Sequence, residues 1–121
     1  MNRWLAVAAA NGFVAVAAGA FAAHGLSGVL TPDMLAIFET GARYQMYHAL
    51  ALGLCAAVPR EGVAIAVGRW AFLAGIVLFC GSLYALALTG ARAWGVVTPF
   101  GGVGFLTGWA ALAWAALQRR T

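Results

Sequence analysis

From Trp4 to Ala23 the chain reads "WLAVAAANGFVAVAAGAFAA", with no charged residue and one amide, Asn11. A helix needs about 20 mostly apolar residues to cross a hydrocarbon core about 30 Å thick. Similar runs recur at about 70–88 and 100–117, and a shorter one fills 43–58. Four spans with short connections use up all 121 residues, so one domain is expected, 1–121, and no separate soluble module. Composition agrees: 64% of residues are hydrophobic and 8% charged, with a mean hydropathy of +0.92. Soluble domains carry roughly 25% charged residues. The sequence therefore predicts an all-α integral membrane four-helix bundle.

A charged start, an alanine-rich middle and Ala20-Phe21-Ala22 also suit a secretory signal peptide. The apolar run is longer than the usual signal core of about 7–15 residues, so the first span is expected to be retained. All seven basic residues are arginines, scattered along the chain. That pattern gives no support to nucleic-acid binding and suits topology signals. Arg3, Arg60, Arg69, Arg119 and Arg120 fall on one side of the four spans, Arg43 and Arg92 on the other. By the excess of positive charge on cytoplasmic ends, both termini are expected in the cytoplasm. Trp4, Trp70 and Trp114 then lie near the inner boundary, Trp94 near the outer.

"TPDM" opens the second helix: Thr31 suits the N-cap, Pro32 the first turn and Asp33 the positive helix end. No breaker follows before Pro59, so one helix is expected over 32–58, about 40 Å long at 1.5 Å per residue. Its first part, 32–42, is read as an interfacial lead-in. Val63 likewise leads into the third span, and Thr98-Pro99 repeats the Thr-Pro start. Cys55 and Cys80 have no metal-ligand spacing and read as small packing residues. "GGVGFLTGWAALAWAAL" contains a Gly104/Gly108 GxxxG spacing, which suits close helix approach within the bundle or between copies.

Hydrogen-bonding side chains concentrate in "FETGARYQMYH". At 100° per residue, Glu39, Arg43, Tyr47, Thr40, Asp33, Tyr44 and His48 share one half of the helix, and Gln45 alone breaks the division. Glu39 and Arg43 form an i,i+4 pair in the favoured order, so Arg43→Ala is expected to strand Glu39. We expect this wet face to turn toward neighbouring helices in the outer leaflet, level with His24 and Tyr84. The candidate binding residues are thus His24, Glu39, Arg43, Tyr44, Gln45, Tyr47, His48 and Tyr84. Ionisable groups in a membrane mark candidate sites, and a register-fixing cap is the structural counterpart. Asn11 is expected to bond another helix rather than a substrate. No catalytic residue, metal ligand or cofactor is assigned, since no nucleophile stands at a defined spacing from a base. "FGGVG" lacks the lysine and the strand context of a phosphate loop.

"GAFAAHGL", "FETGARYQMYHALAL" and "TPFGGVGFLTGW" resemble the YgdD/YwdK-like family of small bacterial membrane proteins, which carry a domain of unknown function. The resemblance spans nearly the whole chain, and the block from Phe38 to Leu52 is its most specific part. It implies four transmembrane helices, a place in the bacterial inner membrane and an uncleaved first span. It implies no activity. The expected function is a non-enzymatic accessory or binding protein. Its polar cluster would take a lipid, a small amphiphile or a partner membrane protein, in a larger complex or a homo-oligomer. The alternative is a small transporter or a haem or redox component using His24 and His48.

Overall fold

The computed structural model describes residues 1–118, and these form helical rods joined by short turns. We label them α1 (Arg3–Leu26), α2 (Pro32–Ala57), α3 (Val63–Thr89) and α4 (Thr98–Leu117), with a 3-10 turn at Arg92–Val96 before α4. Local chemistry sets the ends. Asn2 caps α1 by accepting from the Leu5 N–H at 3.0 Å, and Thr31 caps α2 by accepting from the Met34 N–H at 3.2 Å with Pro32 in the first turn. Pro59 disfavours helical geometry at the residue before it, and Val58 is extended. Gly90, at φ 71°, closes α3 in a left-handed conformation that L side chains avoid. Thr98 does not repeat the Thr31 cap. Its hydroxyl lies 2.6 Å from Ser82 Oγ instead, tying the start of α4 to α3.

The rods run longer than the expected spans. α1 gains a π-helical turn at Ala22–Leu26, and α3 passes without a break from Val63 through a π segment, Ile76–Cys80, to Thr89. Residues 32–42 and 43–58 are likewise one continuous rod up to Ala57.

Among the described residues three helical stretches are long and apolar enough to cross a membrane: Arg3–Leu26, Val63–Thr89 and Arg92–Leu117. The second expected span does not qualify alone. α2 is long enough at 26 residues, but Glu39, Arg43, Gln45 and His48 make it too polar. Its placement accounts for Gln45 and His48. α2 packs along α1 and against α3, and it buries a seam of Phe38, Gly41, Ala42, Gln45, His48, Ala49, Leu52 and Cys55. By contrast only 17% of the apolar core of α1 and 28% of that of the last stretch are buried within the protein, leaving faces such as Phe13, Val16, Val103 and Leu106 exposed. Those faces suit hydrocarbon.

Small residues bring α3 and α4 together. A Cβ on Gly108 would lie 2.5 Å from the Phe72 ring, and one on Gly104 would lie 3.2 Å from the Ala71 carbonyl oxygen and from Gly75. The Gly104/Gly108 spacing therefore serves the contact between α4 and α3. Cys55 and Cys80 are free and buried in one core cluster with Leu52, Phe72, Ile76 and Phe105, as packing residues.

One end of the bundle gathers arginines. The Asn2 amide donates to Ala56 O at 3.2 Å, joining the start of α1 to the end of α2. Arg60 donates to Ala115 O and Gln118 O, both at 2.9 Å, and so closes the carboxyl end of α4, where a cation also suits the helix dipole. Arg69 stands over the Trp4 ring, which meets Trp70 edge to face at 5.1 Å. Arg119 and Arg120, counted above as topology signals, lie outside the described residues.

Candidate functional site

The polar residues of α2 fall into an inward set and an outward set. Gln45, the exception on the helical wheel, lies at the centre of the inward one. Its carbonyl oxygen accepts from the Tyr84 hydroxyl of α3 at 2.8 Å, and its Nε2 donates to Asn11 Oδ1 of α1 at 3.0 Å. Asn11 Nδ2 then donates to the Val7 carbonyl oxygen at 2.9 Å. The three bonds run in one direction, from a hydroxyl on α3 to a backbone carbonyl on α1. Each interhelical bond in lipid contributes about 0.6 kcal/mol on average and up to about 2. Gly41 makes room for the relay, since a Cβ there would lie 2.9 Å from the Tyr84 ring.

His48, one turn further along, ties α2 to α4. Its Nδ1 stands 2.7 Å from the Tyr44 carbonyl oxygen and its Nε2 accepts from Trp109 Nε1 at 3.2 Å. A carbonyl accepts and an indole N–H donates, so Nδ1 carries the proton and the ring is neutral. The ring stacks on Phe105 at 3.5 Å with an interplanar angle of 7°. Phe72 and Tyr44 complete its surroundings.

The outward set overturns part of the sequence expectation. Glu39 and Arg43 are exposed rather than turned toward neighbouring helices, and Tyr47 is exposed at the edge that faces α4. Glu39 and Arg43 form no salt bridge; among the described residues the ion pair is Arg69–Glu61, at 3.9 Å. The helical wheel predicts one polar face, whereas the buried seam crosses its edge and takes His48 together with Gln45. His24 is also exposed, near the end of α1. His48 lies more than four turns along α2, about 24 Å from its start at 1.5 Å per residue. The two histidines thus stand at separate levels, and both nitrogens of His48 are already engaged. Nothing in this arrangement offers an iron two axial imidazoles. Among the described residues no three of His, Cys, Asp and Glu stand close enough to hold a metal ion.

Between α2 and α4 lies an open groove of about 600 Å³. Tyr44, Tyr47, His48, Phe79, Phe105 and Trp109 line it, with Pro99, Val103 and Leu106 toward its mouth. Its polar nitrogens are spent on bonds within the protein. Phe105 and Trp109 carry no polarity signal in the sequence, and their i,i+4 spacing on an apolar helix reads as ordinary packing, so the sequence alone does not single them out. Ser82 donates to the Phe79 carbonyl oxygen at 2.9 Å besides meeting Thr98, and no base stands beside it.

The family model described as "Protein of unknown function (DUF423)" matches residues 18–102, which include most of α1's end, all of α2 and α3, and the start of α4. The chain belongs to this family. The UPF0382 inner membrane protein YgdD of Escherichia coli K12 is 47% identical over 94% of this chain and 88% of its own. The UPF0382 membrane protein YwdK of Bacillus subtilis is 40% identical over 98% of both chains. A UPF0382 membrane protein of Haemophilus influenzae is 42% identical over 99% of this chain and 98% of its own. No solved structure matches. The resemblance read from the sequence blocks is thereby established, and with it a multi-pass protein of the bacterial inner membrane.

Proposed function

We propose that this chain is a non-enzymatic binding protein of the inner membrane whose groove between α2 and α4 holds the apolar chain of a lipid or small amphiphile. In this reading α2 spans with the other three helices, its polar seam turned inward, and both termini are cytoplasmic. Arg3, Arg60 and Arg69 at one end of the bundle support that orientation.

The observation that carries the proposal is the groove itself. It is large, apolar and aromatic, and it opens beside Tyr47, which is exposed and lines it. Arg43 stands one turn from Tyr47 on the same face of α2, so a polar group of an amphiphile beside Tyr47 meets a cation. Ligand sites are typically apolar clefts with a few polar groups that fix orientation.

Filling the groove tests this. Val103 is 61% exposed and lines the cleft, so Val103→Trp occupies it without disturbing the core. The expected result is loss of co-purifying lipid or amphiphile by native mass spectrometry, with an unchanged melting transition. An identical set of bound molecules in the variant rejects the groove as the site.

A further inference from the structure

A second cleft, of about 480 Å³, opens at the other end of the bundle, where the start of α1 meets the end of α2 and the first turns of α3. Asn2, Arg3, Trp4, Val58, Glu61 and Arg69 line it. Its chemistry is the reverse of the groove's: polar walls, with two arginines against one glutamate.

Arg69 is the unusual member. Its side chain is 17% exposed, yet among the described residues its guanidinium makes no hydrogen bond, and its Nε is the buried side-chain nitrogen or oxygen without a partner. Its contacts are the face of Trp4, 5.9 Å from the ring centroid, and a long 3.9 Å approach to Glu61. Glu61 is 88% exposed, so that pairing is weak and readily exchanged. Elsewhere in the bundle the arginine that serves structure spends its donors: Arg60 bonds two carbonyls. Arg69 has five N–H donors in a planar fork, and among the described residues none of them makes a hydrogen bond.

We infer that this cleft binds a phosphate group, with Arg69 as the principal ligand and Arg3 as the second cation. A guanidinium matches two oxygens of a phosphate in bidentate geometry, and the approaching anion displaces the Glu61 carboxylate. The Trp4–Trp70 pair beside the cleft, with Trp70 64% exposed, is the kind of aromatic pair that sits at headgroup level. A phospholipid headgroup and free inorganic phosphate share this chemistry. The inference is independent of the groove between α2 and α4, which lies elsewhere on the molecule.

The test uses the full chain in nanodiscs and in detergent. In nanodiscs of phosphatidylcholine with added phosphatidic acid, Arg69→Gln is expected to lower retention of phosphatidic acid at least tenfold by native mass spectrometry. Glu61→Gln, at an exposed position, is expected to raise it several-fold. In detergent, inorganic phosphate alone is titrated against the melting transition. A shift that Arg69→Gln abolishes assigns the site to soluble phosphate, and no shift, with lipid retention as above, assigns it to the headgroup. Phosphatidylcholine and phosphatidic acid carry the same kind of apolar chains, so a change confined to phosphatidic acid separates this site from the groove. If Arg69→Gln lowers the yield of folded protein, Arg3→Gln and Glu61→Gln decide the matter: unchanged retention in both overturns the inference.

Discussion

Arg43 and Gln45 stand two residues apart on α2, about 200° apart around the helix, and their surroundings are opposite. Arg43 carries a full charge, is exposed and makes no hydrogen bond or ion pair among the described residues. Gln45 carries none, is buried, and uses both ends of its amide on two other helices. The sequence presents them as members of one cluster. In the folded chain one belongs to the surface and the other to the joint between α1, α2 and α3. What a polar residue does in such a protein depends less on its charge than on whether its partners are themselves enclosed. A buried group left without its bond has no water to replace it.

The largest effect expected from this contrast is at Gln45. Gln45→Ala leaves the Tyr84 hydroxyl and Asn11 Oδ1 without partners and opens a void, and should lower stability by about 2–3 kcal/mol, read by reversible unfolding in mixed detergent micelles. A double-mutant cycle with Tyr84→Phe should return a coupling term well above zero. Additivity of the two changes would mean that the relay is not a unit. A smaller loss follows from Gly41→Ala, whose Cβ would press on the Tyr84 ring. Overpacking of this kind amounts to about 1–3 kcal/mol, here toward the low end because the ring has room to tilt. Retention of the Tyr84–Gln45 bond would show as an unchanged tyrosine O–H vibration in the infrared. The smallest effect belongs to Glu39→Gln and Arg43→Ala. Singly or together they should leave the melting transition where it is and show no coupling, because the two side chains are exposed and unpaired. A marked destabilisation by Arg43→Ala would restore the ion pair expected from the i,i+4 spacing.

Helix existence and many of the breaks were legible because their causes are local. Thr31, Pro32, Pro59 and the alanine-rich runs act within a few residues of themselves, and the Thr31 cap and the Pro59 break stand where the sequence puts them. Asn11 was legible too, since an amide in a long apolar run has no partner except another helix. Which face of α2 turns inward was not. Polar residues lie on both sides of the buried seam, and only the positions of Asn11 and Tyr84 on other helices select Gln45 over Glu39. Thr98 shows the same limit: its sequence neighbourhood copies that of Thr31, but Ser82, sixteen residues earlier, claims its hydroxyl. The groove depends on Phe105 and Trp109, ordinary apolar residues until His48 stands opposite them.

The buried face of α1 carries Ala8, Ala15 and Ala22, one residue type repeated every seven positions. Such a surface looks the same after a slide of two turns, so between its ends α1 has little shape to tell it where to stop against α2. Asn11 breaks that degeneracy, because an α1 shifted by seven residues would set Ala18 or Trp4 against Gln45 in place of an amide. Between its ends the first helix is therefore located by one directional contact, with the Asn2–Ala56 bond as the second at its start, and a chain lacking Asn11 should stay assembled while its middle loses alignment.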